Sequence, residues 1–379
     1  MGTRKLARAT RNALQGVGET SWPVAEIVDW IAGAKDRELW RINAFQLASD
    51  LQTDDKQLLE LFIQLVHDGV MDLNWDFHCT SCNAVAQSHH HLKDAGAQDH
   101  CPLCKANFKN TLDQNVEVTF TPAENLYTVS ERFLADQRAR TAELHARKAI
   151  PMPAHYVSGL DCLHIPLFHD LFEHESLSLT ESLQIRHVAI MFTDIKGSTA
   201  LYDRLGDSAA YSLVRDHFEI LFRVVRKHGG IIVKTIGDAV MASFKRAADG
   251  AAAAVAIQKA FEAFNRKENI RGQVLVKIGL HAGKTIAVNL NNRVDYFGQT
   301  VNIAARIQST ARGGEAIISQ AVRSDRDAIR AVYGAVKSLT RMNTVLKGIQ
   351  QSQMVYRLNA VEKTPDNAGS NRLIHASGE

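Results

Sequence analysis

The run H-V-A-I-M-F-T-D-I-K-G-S-T, residues 187–199, decides how this chain reads. Its opening is almost wholly apolar, which suits a strand buried on both faces better than one that alternates between core and water. The strand ends at Asp194 and the chain breaks at Gly197, after which Ser198 or Thr199 can cap a helix. Free N–H groups at a helix start favour anionic oxygens, so this loop can cradle a phosphate, and a carboxylate at the strand tip can hold a divalent cation against it. Taken alone, Asp194 fits a turn cap equally well.

Working outward, a helix runs through Leu201 and Leu205, is renewed over 208–228, and stops at Gly229-Gly230. I-I-V-K-T and A-V-M-A-S-F then flank I-G-D, a tight turn with Gly237 supplying the permissive backbone and Asp238 beside it. The first strand of this hairpin is expected beside the 187–193 strand. Two carboxylates on neighbouring strand tips can hold two cations about 3.5–4 Å apart, the clamp used for in-line phosphoryl displacement. Helix 246–265, strand V-L-V-K-I-G-L-H with its return T-I-A-V-N, helix 299–311 and the short strand I-I-S follow. The order β-α-β-β-α-β-β-α-β predicts an α+β fold with helices covering one sheet.

Four stretches together carry a resemblance: F-T-D-I-K-G-S-T (192–199), V-K-T-I-G-D-A-V-M-A (233–242), I-G-L-H-A-G (278–283) and V-D-Y-F-G-Q-T-V-N-I-A-A-R (294–306). In this order, over 187–358, they resemble the catalytic domain of class III adenylyl and guanylyl cyclases. The resemblance implies a ferredoxin-like domain with an antiparallel or mixed sheet. It implies two metal-binding aspartates, Asp194 and Asp238, with the backbone carbonyl of Ile195 as a further ligand to two Mg²⁺ or Mn²⁺ ions. It implies base selection by Lys234, facing an adenine ring acceptor, and by Asp295, accepting from the exocyclic amine. Guanylyl cyclases usually carry Glu where this chain has Lys234, so the pair points to ATP. Asn302 matches the residue that orients the ribose, and Arg306 the one that meets charge on the α-phosphate. They lie four residues apart on one helix face, and a guanidinium suits phosphate. Lys347 in V-L-K-G-I resembles a triphosphate-binding lysine. The family's sites lie between two catalytic domains packed head-to-tail. This chain holds each residue once, which implies a homodimer.

Cys79-x-x-Cys82 and Cys101-x-x-Cys104, eighteen residues apart, have the spacing of a Cys₄ structural zinc site. Cys162, in an apolar stretch, reads as buried filler. His78, His89, His90, His91 and His100 lie close by; the run of three can bind a second metal but is read as a solvated loop. Ahead of the cysteines, residues 42–75 resemble a winged helix-turn-helix. Its second helix opens D-D-K and continues to Glu60, a poor start against phosphate, so a docking surface for a protein or small ligand is favoured over a DNA reader.

The expected organisation is a poorly ordered lead-in over 1–20, a winged-helix-like and zinc-ribbon-like regulatory region over 21–125, a helical and Pro-broken connector over 126–185, the catalytic domain over 186–358 and a disordered tail over 359–379. A formal net charge of +3 on 379 residues argues against nucleic-acid or acidic-membrane binding. No run reaches the roughly 18 apolar residues of a spanning helix, and no apolar core follows the basic N-terminus, so a cytoplasmic protein is expected. The reading is an ATP cyclase governed by its front half. A guanylyl cyclase and a nucleotide-responsive DNA-binding regulator are the alternatives.

Overall fold

Leu6, Ala7, Thr10 and Leu14 recur at helical spacing and form the buried face of α1 (Gly2–Leu14). Residues 2–14 are therefore not part of a loose lead-in: their basic side chains point outward and conceal an apolar stripe that docks on α2 (Val24–Gly33). The structure, a computed structural model, describes residues 2–15, 22–148, 150–151, 154–172, 175–268, 274–349 and 351–359. Residues 16–20 of the expected lead-in, Met152 and Pro153 of the Pro-broken connector, and the expected tail from 360 lie outside them.

After the short α3 (Asp36–Leu39), Asn43 caps α4 (Ala44–Leu51) by accepting the Phe45 and Gln46 N–H groups. Asp54 does the same for α5 (Asp55–His67) through Gln57. The chain then enters β1 (Met71–His78), which pairs antiparallel with β2 (Val85–His89) on one side. A two-stranded ribbon follows, β3 (Gln98–His100) with β4 (Asn107–Lys109). β5 (Val116–Pro122) returns to the other edge of β1. The connector holds α6 (Glu131–Ala146), capped by Ser130 and with no buried residue, and the short α7 (Gly159–Cys162) and α8 (Pro166–Leu171). Cys162 is buried, as its apolar surroundings suggest.

The second half is built on β6 (Ser182–Ile195), followed by α9 (Ser198–Leu205), α10 (Asp207–Lys227), β7 (Gly230–Ile236), β8 (Ala239–Phe244) and α11 (Ala247–Glu268). Next come β9 (Val276–Leu290), β10 (Arg293–Phe297), α12 (Gln299–Thr310), β11 (Ala316–Ser319), α13 (Gln320–Ser324), α14 (Arg326–Val332) and a closing hairpin, β12 (Ser338–Thr344) with β13 (Gln353–Asn359). The sheet order is β12-β13-β11-β9-β6-β8-β7, with β10 on β9. Among the described strands of this sheet, only the β11–β9 pairing is parallel, which makes the sheet mixed. β6 is buried on both faces, as its composition predicts. Val188, Ile190 and Phe192 join the core that runs into the N-terminal half, while Ala189 and Met191 meet α10 and α11.

Two expectations change. The neighbour of β6 is β8, the second strand of the I-G-D hairpin, because the α9–α10 crossover carries the chain one place outward before the hairpin folds back. And V-K-I-G-L-H does not turn at Ala282-Gly283; β9 runs straight through as one strand. The glycines there serve close approach instead. A Cβ on Gly279 would lie 2.2 Å from the Gln308 backbone nitrogen, and one on Gly283 2.8 Å from Thr300 Oγ1. Helix α12 therefore sits directly on the β9 backbone, pinned by Thr300 Oγ1 donating to the Lys284 carbonyl at 2.6 Å.

Candidate active site and metal centre

Strand, crossover and hairpin bring two carboxylates to the tip of β6. Asp194 is its penultimate residue. Its Cα partner across the ladder is Lys277 of β9, and the two side chains are ion-paired. Asp238 follows Gly237, at φ +62°, in the β7–β8 turn, and its Oδ2 accepts the Ile195 N–H at 3.1 Å. Both carboxylates thus border Ile195. Tyr202 on α9 lies near them; burial first, then the charges of Asp238 and Asp194, push its phenol pKa up. Beneath, on α10, His217 is fully buried beside Phe218 and Phe261. Burial drives its pKa down to about 4.

The helix start differs from its expected form. Gly197, in the left-handed conformation at φ +67°, is the N-cap, and neither Ser198 nor Thr199 caps the helix. Both are first-turn residues, whose N–H groups precede the first helical hydrogen bond, Leu201 N–H to the Gly197 carbonyl. The loop keeps its free donors whichever residue caps it.

The remaining residues form separate groups. Lys234 on β7 is ion-paired with Asp295 on β10, and the other oxygen of Asp295 accepts the Tyr296 N–H at 2.7 Å. Asn302 is exposed and Arg306 half-buried on α12. The loop between β12 and β13 brings Gly348 against Arg306: a Cβ there would lie 3.1 Å from Arg306 Nη1. The neighbouring Lys347 is exposed. Among the described residues, no hydrogen bond or ion pair joins Lys234, Asp295, Asn302 or Arg306 to Asp194 or Asp238. The sequence reading missed Lys277. Its signal was its place in V-K-I-G, on a strand whose register with β6 only the fold supplies.

The donor set at Asp194 and Asp238 is all oxygen, which fits hard cations such as Mg²⁺ and Mn²⁺. The Lys277 ammonium already compensates one of these carboxylates, so a cation there shares or displaces that pair.

The four cysteines make a second centre of opposite character. Their sulfurs all lie within 4.8 Å of one another, with Cys79–Cys104 at 3.5 Å and Cys82–Cys101 at 3.7 Å, and none is in a disulfide. Four thiolates about 2.3 Å from a tetrahedral zinc would stand about 3.8 Å apart, so the residues fit that ion. Two matching knuckles set the geometry. Cys79 N–H donates to the Ala84 carbonyl at 2.8 Å and Cys101 N–H to the Ala106 carbonyl at 2.9 Å, while Asn83 and Lys105 each take the left-handed turn at φ +60°. The Ala106 N–H holds the Cys104 thiol pKa down to about 7. The nearby histidines go elsewhere: His78 to Glu117, His90 to the Leu73 carbonyl, His91 to Glu175, His100 to Asn107, and His89 edge-on to Phe77.

Comparison with known proteins follows the same division. Residues 180–360, just under half the chain, match the adenylate and guanylate cyclase catalytic domain, and residues 8–133 match a family of unknown function (DUF5939). Over 179 residues the chain is 31% identical to an adenylate cyclase of Mycosarcoma maydis, covering 42% of this chain and 7% of that protein. Over 167 residues it is 30% identical to putative adenylate cyclase 3 of Rhizobium meliloti, covering 42% of this chain and 28% of that one. The chain thus spans under a third of either relative. Among solved structures, the adenylyl cyclase CyaB of P. aeruginosa aligns at 22% identity and a TM-score of 0.40, over 50% of this chain and 100% of that one. The second half, an α+β unit with a mixed sheet, thus matches the cyclase catalytic domain, and curated relatives that match it are named adenylate cyclases. No helix among the described residues is long and apolar enough to cross a membrane.

Proposed function

We propose that this chain is an adenylate cyclase, converting ATP to 3′,5′-cyclic AMP and pyrophosphate as a homodimer with two equivalent sites. The observation that carries the reading is the convergence of Asp194 and Asp238 on Ile195 within a segment that matches a cyclase catalytic domain. Asp194, Asp238 and the Ile195 carbonyl would hold two Mg²⁺ or Mn²⁺ ions, which when bound supply charge neutralisation on the triphosphate and activation of the attacking oxygen.

The chain's own groups do the rest. N–H groups at Gly197, Ser198 and Thr199 donate to phosphate oxygens at the start of α9. Lys234 donates to a ring nitrogen of adenine and Asp295 accepts from its exocyclic amine. Their pairing in the free chain supports a common address for that edge of the base. Asn302 orients the ribose, Arg306 meets charge growing on the α-phosphate, and Lys347 faces the leaving phosphates. The ribose 3′-oxygen attacks the α-phosphorus in line, the bond to the β-phosphate oxygen breaks, and the proton passes to Asp194 or to water. Because the aspartates and the Lys234–Asp295 pair form separate groups within one chain, we assign them to opposite sides of a shared site, completed when two chains pack head-to-tail.

The cyclase match supports reading 186–358 as the catalytic region, and we assign 21–125 a regulatory role. In the latter, the helix-turn-helix reading of α4 and α5 goes with a protein or small-ligand partner, since Lys56 is spent on Glu60 at 3.8 Å beside the acidic start of α5. The cysteines would hold one structural Zn²⁺. We expect the enzyme to work where ATP is abundant, in the cytoplasm. The test is incubation of purified protein with ATP or GTP plus Mn²⁺, quantifying both cyclic products. Cyclic AMP in excess is expected, cyclic GMP in excess would make it a guanylyl cyclase, and neither product from a dimeric preparation would overturn the proposal. Mixing Lys234→Ala with Asp194→Ala chains should restore part of the activity that each lacks alone.

A further inference from the structure

The cysteine ribbon is not a free-standing ornament. The residues that follow its second knuckle are hydrogen-bonded to the root of β6, the strand that ends at Asp194. Leu112 N–H donates to the Gln184 carbonyl at 2.8 Å, and Gln184 N–H donates to the Asn110 carbonyl at 3.3 Å. Beyond Ile185 the pairing of β6 with β9 shifts register and resumes only at Val188. The amides set loose there are those of Arg186 and His187, and both are captured by the Asp113 carboxylate, at 3.0–3.1 Å and 3.0 Å. Without Asp113 these two consecutive amides would lose that partner at the base of the strand.

Segment 110–113 owes its position to the ribbon. Asn110 N–H donates to the Ala97 carbonyl, its side chain donates to the Gly96 carbonyl and to Asp99, and β3–β4 pairing continues up to Cys101 and Cys104. The loop between the knuckles is tied to the approach to β6 as well: Ala97 N–H donates to Glu181 at 2.8 Å, and Leu92 N–H and His91 both reach Glu175. On the first knuckle, Asn83 donates to the Ile150 carbonyl at 3.2 Å, fastening the connector. The ribbon strands are only three residues long, and their core is Cys79, Cys101 and Phe108, too little apolar surface to hold this shape unaided.

We propose that a thiophilic divalent cation, zinc, bound by Cys79, Cys82, Cys101 and Cys104 acts as a clamp on the catalytic strand, so that occupancy of the sulfur site is read at the root of β6. This rests on the zinc reading above and adds to it a target, the amides of Gln184, Arg186 and His187. The site would couple cyclase output to metal supply, or to any agent that strips the metal from its thiolates, without touching nucleotide or catalytic cations.

The experiment uses full-length, nucleotide-free protein. Bound zinc is counted by native mass spectrometry, and amide exchange is followed across 182–187, with β13 as internal reference, before and after a zinc chelator. Exchange at 182–187 should speed up about tenfold or more on zinc removal, while β13 changes little. Asp113→Ala should keep its zinc yet expose the Arg186 and His187 amides, a readout that survives if the metal-free protein unfolds. Zinc that binds and leaves with no change at 182–187, or an Asp113→Ala chain with wild-type exchange there, would overturn the clamp while leaving the metal site standing. A chain that takes up neither zinc nor the thiophilic probe Cd²⁺ would remove both.

Discussion

The carboxylate centre and the cysteine centre solve opposite problems with the same economy of residues. Asp194 and Asp238 stand on the tips of a sheet, half-exposed, with oxygen donors and a compensating Lys277. The cysteines close on themselves in two matching knuckles whose sulfurs already stand at tetrahedral spacing. On the reading proposed above, a centre that must admit substrate and release product is left open and is completed by a second chain. A centre that must hold a shape is complete from local sequence. The difference teaches where to look for sensitivity: chemistry should fail at the first without loss of fold, and fold should fail at the second before chemistry is touched directly.

The hardest test of that contrast is Asp194→Ala. Removing the carboxylate should lower cyclic AMP production by about a thousandfold or more, with circular dichroism and zinc content unchanged, since the residue lies at a strand end beside solvent. Loss of zinc or of cooperative melting in this variant would mean that the two centres are not separable. Cys101→Ser is the mirror experiment. It should eliminate stoichiometric zinc and lower Tm by about 5 °C or more in a melting scan, with a smaller fall in turnover. Wild-type stability in this variant would break the comparison from the other side.

Legibility followed the same line. Both knuckles, the apolar β6 and the two aspartates could be read because each depends on residues a few positions apart. Lys277 could not, because its pairing with Asp194 depends on the β6–β9 register across eighty residues of chain. The closing β12–β13 hairpin and helices α13 and α14 escaped because β12 is mostly exposed and carries no apolar stripe, and the two helices are only 5 and 7 residues long. Gly283 was read as a turn because a glycine in an alternating strand more often marks a break than a contact with a helix backbone. Helix α1 was hidden by its basic residues, which say nothing about Leu6 and Leu14 beneath. The separation of Asp194 and Asp238 from Lys234 and Asp295, implied by resemblance alone, is visible only in the folded chain, where among the described residues no hydrogen bond or ion pair joins the two pairs.

Acid should act on the second half of the chain and on the connector packed beside it. His164, His217 and His281 each have a folded pKa of about 4, lowered first by burial. Against an ordinary value near 6.5, the unfolded chain binds more protons between these two limits, so stability rises with pH across that window. It is full above about 6.5, falls as pH drops toward 4 and levels off below, by at most on the order of 3 kcal/mol per histidine. Tm measured from pH 7 to 4 should trace that slope. His217→Phe should flatten part of it at little cost, because neither ring nitrogen has a partner among the described residues and its neighbours are already phenylalanines. An unchanged slope in that variant would place the acid sensitivity elsewhere.

The finest expected effect concerns which base is chosen. Lys234 and Asp295 present one donor and one acceptor side by side, and the ammonium of Lys234 is held by the buried carboxylate of Asp295. Lys234→Glu replaces the donor with an acceptor, which suits guanine, and sets two carboxylates against each other. The kcat/KM ratio of ATP to GTP should fall by about 10- to 100-fold, the worth of one or two hydrogen bonds at a discriminating pocket. The like-charge contact should weaken total activity as well, and Asp295→Asn in the same chain should recover part of it by removing that repulsion. If the ratio is unmoved while activity falls, the pair is a structural tie between β7 and β10. The ATP preference would then have to come from backbone groups around the base.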